Sequence, residues 1–137
     1  MARVVDLSKK PYNLNPSQIE WVESTIKGMT DEEKVGQLFT NLFFFGGDAF
    51  SGNNLSNKEI LEKYHIGGVR YMNGSPEDVQ GLINDLQSQT KIPLLVAANC
   101  DSGGDGAVKG GTYISSGAQS EASRDPWVPY HAGLVSA

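Results

Sequence analysis

Three short apolar runs recur along the chain, each separated from the next by a segment of helical period. The runs are "NLFFF" at 41–45, "HIGGVRYM" at 65–72 and "IPLLVAA" at 92–98. Between the first two lies "NKEILEKY", with Ile60, Leu61 and Tyr64 at helical spacing. Between the second and third, Val79, Leu82, Ile83 and Leu86 line one helical face. Strands separated by amphipathic helices are not hairpin partners, so they are expected to pair in parallel through right-handed crossovers. The third run is apolar throughout, the pattern of a strand covered on both faces. The expected class is α/β.

Start signals place the helices. Asn15 as cap and Pro16 at the first position open one, with Ile19, Val22 and Ile26 on its apolar stripe. Thr30 and Glu33 form a capping box for a second helix, expected to bury Val35, Leu38 and Phe39. Ser56 with Glu59, Ser75 with Pro76, and Asp125 with Pro126 start three more, and Pro129 falls in the first turn of the last. The first sixteen residues are polar and interrupted by proline, and read as a surface arm. Trp21 and Trp127 flank helices and are expected to pack, as is the aromatic run Phe43, Phe44 and Phe45.

A chain of 137 residues suits one domain, and 39% hydrophobic residues can furnish a core. The net charge of −5, with basic residues scattered and no run longer than Lys9-Lys10, argues against nucleic acid or an anionic membrane as partner. A single cysteine, Cys100, excludes an internal disulfide framework and a multi-thiolate metal site. The N-terminal stretch has no apolar signal-like segment and nothing approaches a membrane span, so a soluble, cytoplasmic protein is expected.

In parallel α/β proteins, chemistry collects where strands end and the βα loops converge. Three such tips are legible: Phe45-Gly46-Gly47-Asp48, Met72-Asn73-Gly74 and Asn99-Cys100-Asp101. The third opens onto "SGGDGAVKGG". One reading has Asn99 and Asp101 hydrogen-bonding a polyhydroxylated substrate while small neighbours leave it room to approach. The other has both residues closing the turn with Asx-type bonds while glycines supply positive φ. Phosphate cradles fit poorly: Lys109 sits between Val108 and Gly110 rather than in a P-loop, and it occupies the third glycine position of a dinucleotide fingerprint. His65, before the second strand, lies at the pole opposite the tips and reads as structural. His131, on the last helix, reads as packing or solvent-facing. No Ser-His-Asp set or metal-ligand spacing occurs, and Asp101 disfavours a Cys100 thiolate nucleophile. No cofactor or metal is expected.

Four stretches in order, "MTDEEKVGQLF", "KYHIGGVRYM", "VQGLINDLQSQTKIPLLVAANCDSGG" and "GTYISSGAQSEASRDP", resemble glycoside hydrolase family 3 from about residue 29 onward. The likeness leans toward its β-N-acetylhexosaminidase branch. The family's sugar-binding Asp falls on Asn99, and its following Glu falls on Asp101, with Ser102 as an insertion before Gly103 and Gly104. The family's G-T-R-F is replaced by Gly111-Thr112-Tyr113-Ile114. The resemblance implies Asn99, Asp101, Gly103 and Gly104 as substrate-binding residues with a carbohydrate as partner, and Asn73, at the neighbouring strand tip, is expected to join them.

The resemblance also implies a (β/α)8 barrel, which needs roughly 250 residues. The chain is therefore expected to be a partial barrel, with an arm and leading helix at 1–29 and the first three βα units at 30–137, truncated at its C-terminus. Hydrolysis of terminal β-N-acetylglucosaminides or β-glucosides, with retention through a covalent intermediate, then needs a nucleophile and an acid/base from beyond this chain. No residue here is assigned a catalytic role, and the chain alone is expected to be inactive. The remaining strands would come from another chain or from self-association. The alternative is a non-catalytic sugar-binding module or a small doubly wound ligand-binding domain; a flavodoxin-like fold of that kind wants five strands.

Overall fold

A computed structural model describes residues 5–43 and 55–136. The elements are α1 (Pro16–Gly28), α2 (Asp31–Gly36), β1 (Thr40–Phe43), α3 (Asn57–Tyr64), β2 (Gly68–Tyr71), α4 (Pro76–Ser88), β3 (Leu95–Ala97), α5 (Gly117–Ala122) and α6 (Trp127–Ser136). A single 3-10 turn, Gly104–Gly106, lies between β3 and α5. Phe44, Phe45 and the tip Gly46-Gly47-Asp48 lie outside the described residues.

Helix starts fall where local chemistry puts them. The side chains of Asn15, Thr30 and Ser56 each accept the third helical N–H, while Gln18, Glu33 and Glu59 reach back to the cap N–H. Each box satisfies two donors that the first helical turn leaves orphaned. Ser75 caps α4, with Pro76 behind it. α5 was not anticipated; its own box, Ser116 with Gln119, was present in the sequence as S-x-x-Q.

The strands form one parallel sheet in the order β1-β2-β3, with Leu42 opposite Arg70 and Arg70 opposite Ala97. β2 is central and alternates, burying Val69 and Tyr71 while Arg70 faces solvent. Phe43 from β1, Ile60 and Leu61 from α3, and Val79, Leu82 and Leu86 from α4 close on these, joined by Ile66 and Leu94. Each such side chain taken fully from water contributes about 1.5–3 kcal/mol before ordering costs. At the N-terminal pole, His65 ends α3 in the left-handed region, and its carbonyl accepts a hydrogen bond from Gln37 Nε2 at 2.8 Å. That bond ties the end of α2 to the end of α3.

Several expected burials are not found. α2 stops at Gly36 and the chain tightens into turns, Leu38 N–H donating to the Val35 carbonyl and Phe39 N–H to that of Gly36. The helical stripe is thereby broken, and Val35, Leu38 (84% exposed) and Phe39 face solvent. α1 buries none of its residues. β3 pairs only with β2 among the described residues, so Leu95 (78% exposed) and Val96 are open rather than covered on both faces. Tyr64, Trp21 and Trp127 are also exposed; the Trp127 ring centroid lies 5.4 Å from that of Tyr130 and 5.9 Å from that of His131, both on its own helix. Among the described residues no helix is long and apolar enough to cross a membrane.

Candidate functional site at the strand tips

Parallel pairing sends the carboxyl ends of all three strands to one pole, and two tips are described there. After β2 the chain passes through Asn73 and Gly74; after β3 it enters the segment 99–114. The two are joined. Asn73 Nδ2 donates to the Asp105 carbonyl at 2.8 Å, and Lys109 N–H donates to the Gly74 carbonyl at 2.9 Å. Gly74 and Val108 form an isolated parallel bridge outside the three strands.

Segment 99–114 is folded upon itself. Gly103 N–H donates to the Cys100 carbonyl at 2.8 Å, and Ile114 N–H to that of Ser102 at 3.1 Å. Asp105 Oδ1 accepts from Gly110 N–H at 3.0 Å. Gly103 and Gly106 are required by this packing rather than by open space. Gly103 has φ +77° and is buried, and a Cβ there would lie 2.6 Å from the Thr112 carbonyl oxygen. Gly106 lies directly against the backbone of Asn99. At these two positions the glycines keep side chains away from the loop's own backbone, and Gly103 supplies the positive φ of the turn-closing reading.

The candidate residues are therefore placed differently. Asn99 and Asp101 are exposed at the β3 tip, and Asn99 Oδ1 accepts from Asp101 N–H at 3.3 Å, an Asx-type turn. The Asn99 amide nitrogen and the Asp101 carboxylate have no hydrogen-bond partner among the described residues. Gly104 is half-buried beside Thr112, and half-buried Asn73 is the strut between the tips. Two residues that sequence reading passed over belong here. Asp105 uses its carbonyl for Asn73 and its carboxylate for Gly110; its place between glycines was the available signal. Tyr71 ends β2, and burial, followed by the nearby Cys100, pushes its phenol above the usual tyrosine range. Cys100 itself is exposed.

Chemically, this pole offers an amide donor and a carboxylate acceptor on a braced loop, a set suited to hydroxyl groups. Among the described residues no cluster of three or more His, Cys, Asp or Glu side chains could hold a metal ion.

No protein-family model matches the chain. A curated beta-N-acetylglucosaminidase/beta-glucosidase from Cellulomonas fimi is 29% identical over 113 residues, which is 82% of this chain and 19% of that protein. The chain thus spans about a fifth of the length of that relative. Two solved structures are also similar. The beta-glucoside phosphorylase BglX bound to 2FGlc superposes with a TM-score of 0.72 at 33% identity, covering 96% of this chain and 23% of that one. A second structure of beta-glucoside phosphorylase BglX gives 0.70 at 32% identity, covering 96% and 22%. The resemblance to glycoside hydrolase family 3 read from the sequence motifs is borne out by these similarities.

Proposed function

We propose that this chain is the leading arc of a (β/α)8 barrel in a family 3 glycoside hydrolase, with an arm and leading helix at 1–29 and the first βα units at 30–137. The observation that carries this reading is the superposition of 96% of this chain on the beta-glucoside phosphorylase BglX, with a TM-score of 0.72 at 33% identity, and the strand order agrees with it. Three parallel strands follow one another as β1-β2-β3 with no reversal. A barrel makes sequential strands neighbours all the way round, whereas a doubly wound sheet reverses direction at a switch point. A doubly wound sheet of order 3-2-1-4-5-6 also keeps its first three strands in sequence, so the strand order is shared by both readings and the likeness to the solved structures is what favours the barrel.

On this reading the enzyme acts on terminal β-linked sugars, a β-N-acetylglucosaminide or a β-glucoside, in keeping with the name of the curated relative. Asn99 and Asp101 hold sugar hydroxyls, while Gly103, Gly104 and Asn73 shape the loop that presents them. Retaining hydrolysis requires two carboxyl groups about 5–5.5 Å apart, one as nucleophile and one as acid/base. Those groups come from polypeptide other than residues 1–137. The open edge and exposed face of β3, with Phe39 at the other side, are then covered by the remaining strands, from another polypeptide or a second copy.

The test is release of chromophore from p-nitrophenyl β-glucoside and p-nitrophenyl N-acetyl-β-glucosaminide, by this chain alone and together with the rest of a barrel. Release only from the completed protein is expected; turnover by residues 1–137 unaided overturns the assignment. The solved neighbours are named phosphorylases, which favours a second reading in which phosphate replaces water as acceptor. Adding inorganic phosphate separates the two: a sugar 1-phosphate marks phosphorolysis, and free sugar marks hydrolysis.

A further inference from the structure

At the pole opposite the strand tips, α1 stands off the body and leaves a cleft of about 510 Å³. Trp21, Ser24, Thr25 and Gly28, spaced i, i+3, i+4, i+7, line it from α1. The far wall comes from α2, the end of α3 and the turn before β3, including Glu33, Glu62 and Lys91. A helix packed as part of a core turns its apolar stripe inward. Here Ile19 and Val22 are half-buried and, with Ile26, are not part of the lining, while the face of α1 toward the cleft is small, hydroxylated and marked by one half-exposed indole. The volume falls within the roughly 300–1,000 Å³ of small-molecule sites.

The chemistry of the walls narrows the ligand. Glu33 is held below the usual carboxylate range chiefly by the Thr30 N–H, with His65 and Lys91 adding a smaller pull, so it is ionised at neutral pH. Its Oε2 is engaged by Thr30, and Glu62 Oε1 lies 3.7 Å from Lys58. Lys91 makes no ion pair among the described residues. Two carboxylates against one ammonium disfavour a phosphorylated or otherwise anionic ligand. What remains is an aromatic face 54% exposed beside apolar walls from Met29, Leu61, Ile66 and Ile92, with hydroxyl, carboxylate and ammonium groups around them. That set matches a pyranose, which has an apolar C–H face and a rim of hydroxyls that both donate and accept.

We propose that the cleft between α1 and the N-terminal pole is a second, non-catalytic binding site for a neutral mono- or disaccharide, with Trp21 as its stacking platform. It is independent of the strand-tip reading. Equilibrium dialysis of the full chain with labelled cellobiose and with N,N′-diacetylchitobiose tests it, with circular dichroism reporting the fold of each variant. Saturable binding with a Kd on the order of 1 mM is expected. Trp21→Ala should weaken it about tenfold, while Trp21→Phe keeps an aromatic face and most of the affinity. Ser24→Leu, which intrudes on the cleft from an exposed helix position, should also weaken it and serves if Trp21→Ala misfolds. Absence of saturable binding by the folded chain overturns the proposal. So does binding lost with Asn99→Ala and kept with Trp21→Ala, which puts the sugar at the strand tips instead.

Discussion

α1 and α4 are both thirteen residues long, both carry proline at the first position behind a capping side chain, and both have an apolar stripe at helical spacing. α4 buries Val79, Leu82 and Leu86; α1 buries nothing. Local signals this similar end in opposite environments because α4 connects β2 to β3 and is drawn across the sheet, whereas α1 precedes the first strand and has no crossover to hold it down. Capping decides where a helix begins, and connection to the sheet decides whether its stripe is covered.

The sharpest way to break that comparison is truncation of matched positions. Leu86→Ala, at a site 1% exposed, should cost about 2–5 kcal/mol by urea denaturation. Ile26→Ala, at a site 53% exposed, should stay within about 0.5 kcal/mol. Equal losses would mean that α1 is docked as firmly as α4. The loop that braces the β2–α4 unit provides the next effect. Gly106→Ala forces a methyl group against the Asn99 backbone, which has no side-chain freedom with which to yield, and should cost about 1–3 kcal/mol in the same assay. A neutral result would show that the loop repacks without strain.

Cap deletion sharpens the contrast further. Ser75→Ala should lower global stability by about 1 kcal/mol because α4 unfolds with the core. Asn15→Ala removes an equivalent bond, yet it should appear as faster amide exchange in α1 with little change in the denaturation midpoint. If the two midpoints move together, the helices form one cooperative unit.

The smallest effect is on pH dependence. The Thr30 N–H holds Glu33, and the Ser56 N–H holds Glu59, below the usual glutamate range. A carboxyl whose folded pKa is depressed stabilises fully above its unfolded pKa, and that contribution is lost as pH falls through the folded value. Stability should therefore decline on acidification below the ordinary glutamate range. Glu59→Gln keeps a capping amide without a titrating proton, so it should flatten part of that decline in a series of urea midpoints against pH.

These contrasts show how far a linear reading reached. The parallel alternation, the caps at Asn15, Thr30, Ser56 and Ser75, and the core positions Ile60, Leu61, Val79, Leu82 and Leu86 were all legible, since each depends on neighbours within one or two helical turns. Val35, Leu38 and Phe39 misled because an apolar stripe records only that a face can be covered. At the strand tips, the sequence marked Asn73, Asn99 and Asp101 as residues emerging at one pole. It offered positive φ for the glycines, as at Gly103, but did not reveal that Asn73 holds Asp105 or that Gly106 lies against Asn99, since both depend on backbone that arrives from far along the chain or from across a turn.

By itself, then, the sequence determined the local starts, the helical and strand periods, and the rule that these strands run parallel, because those follow from hydrogen bonds and side-chain spacing along a single segment. The tertiary structure alone decided which apolar faces are covered and which stay open. Burial depends on what the rest of the chain brings alongside, and around α1, β3 and the turn after α2 the described residues leave much of the apolar surface open.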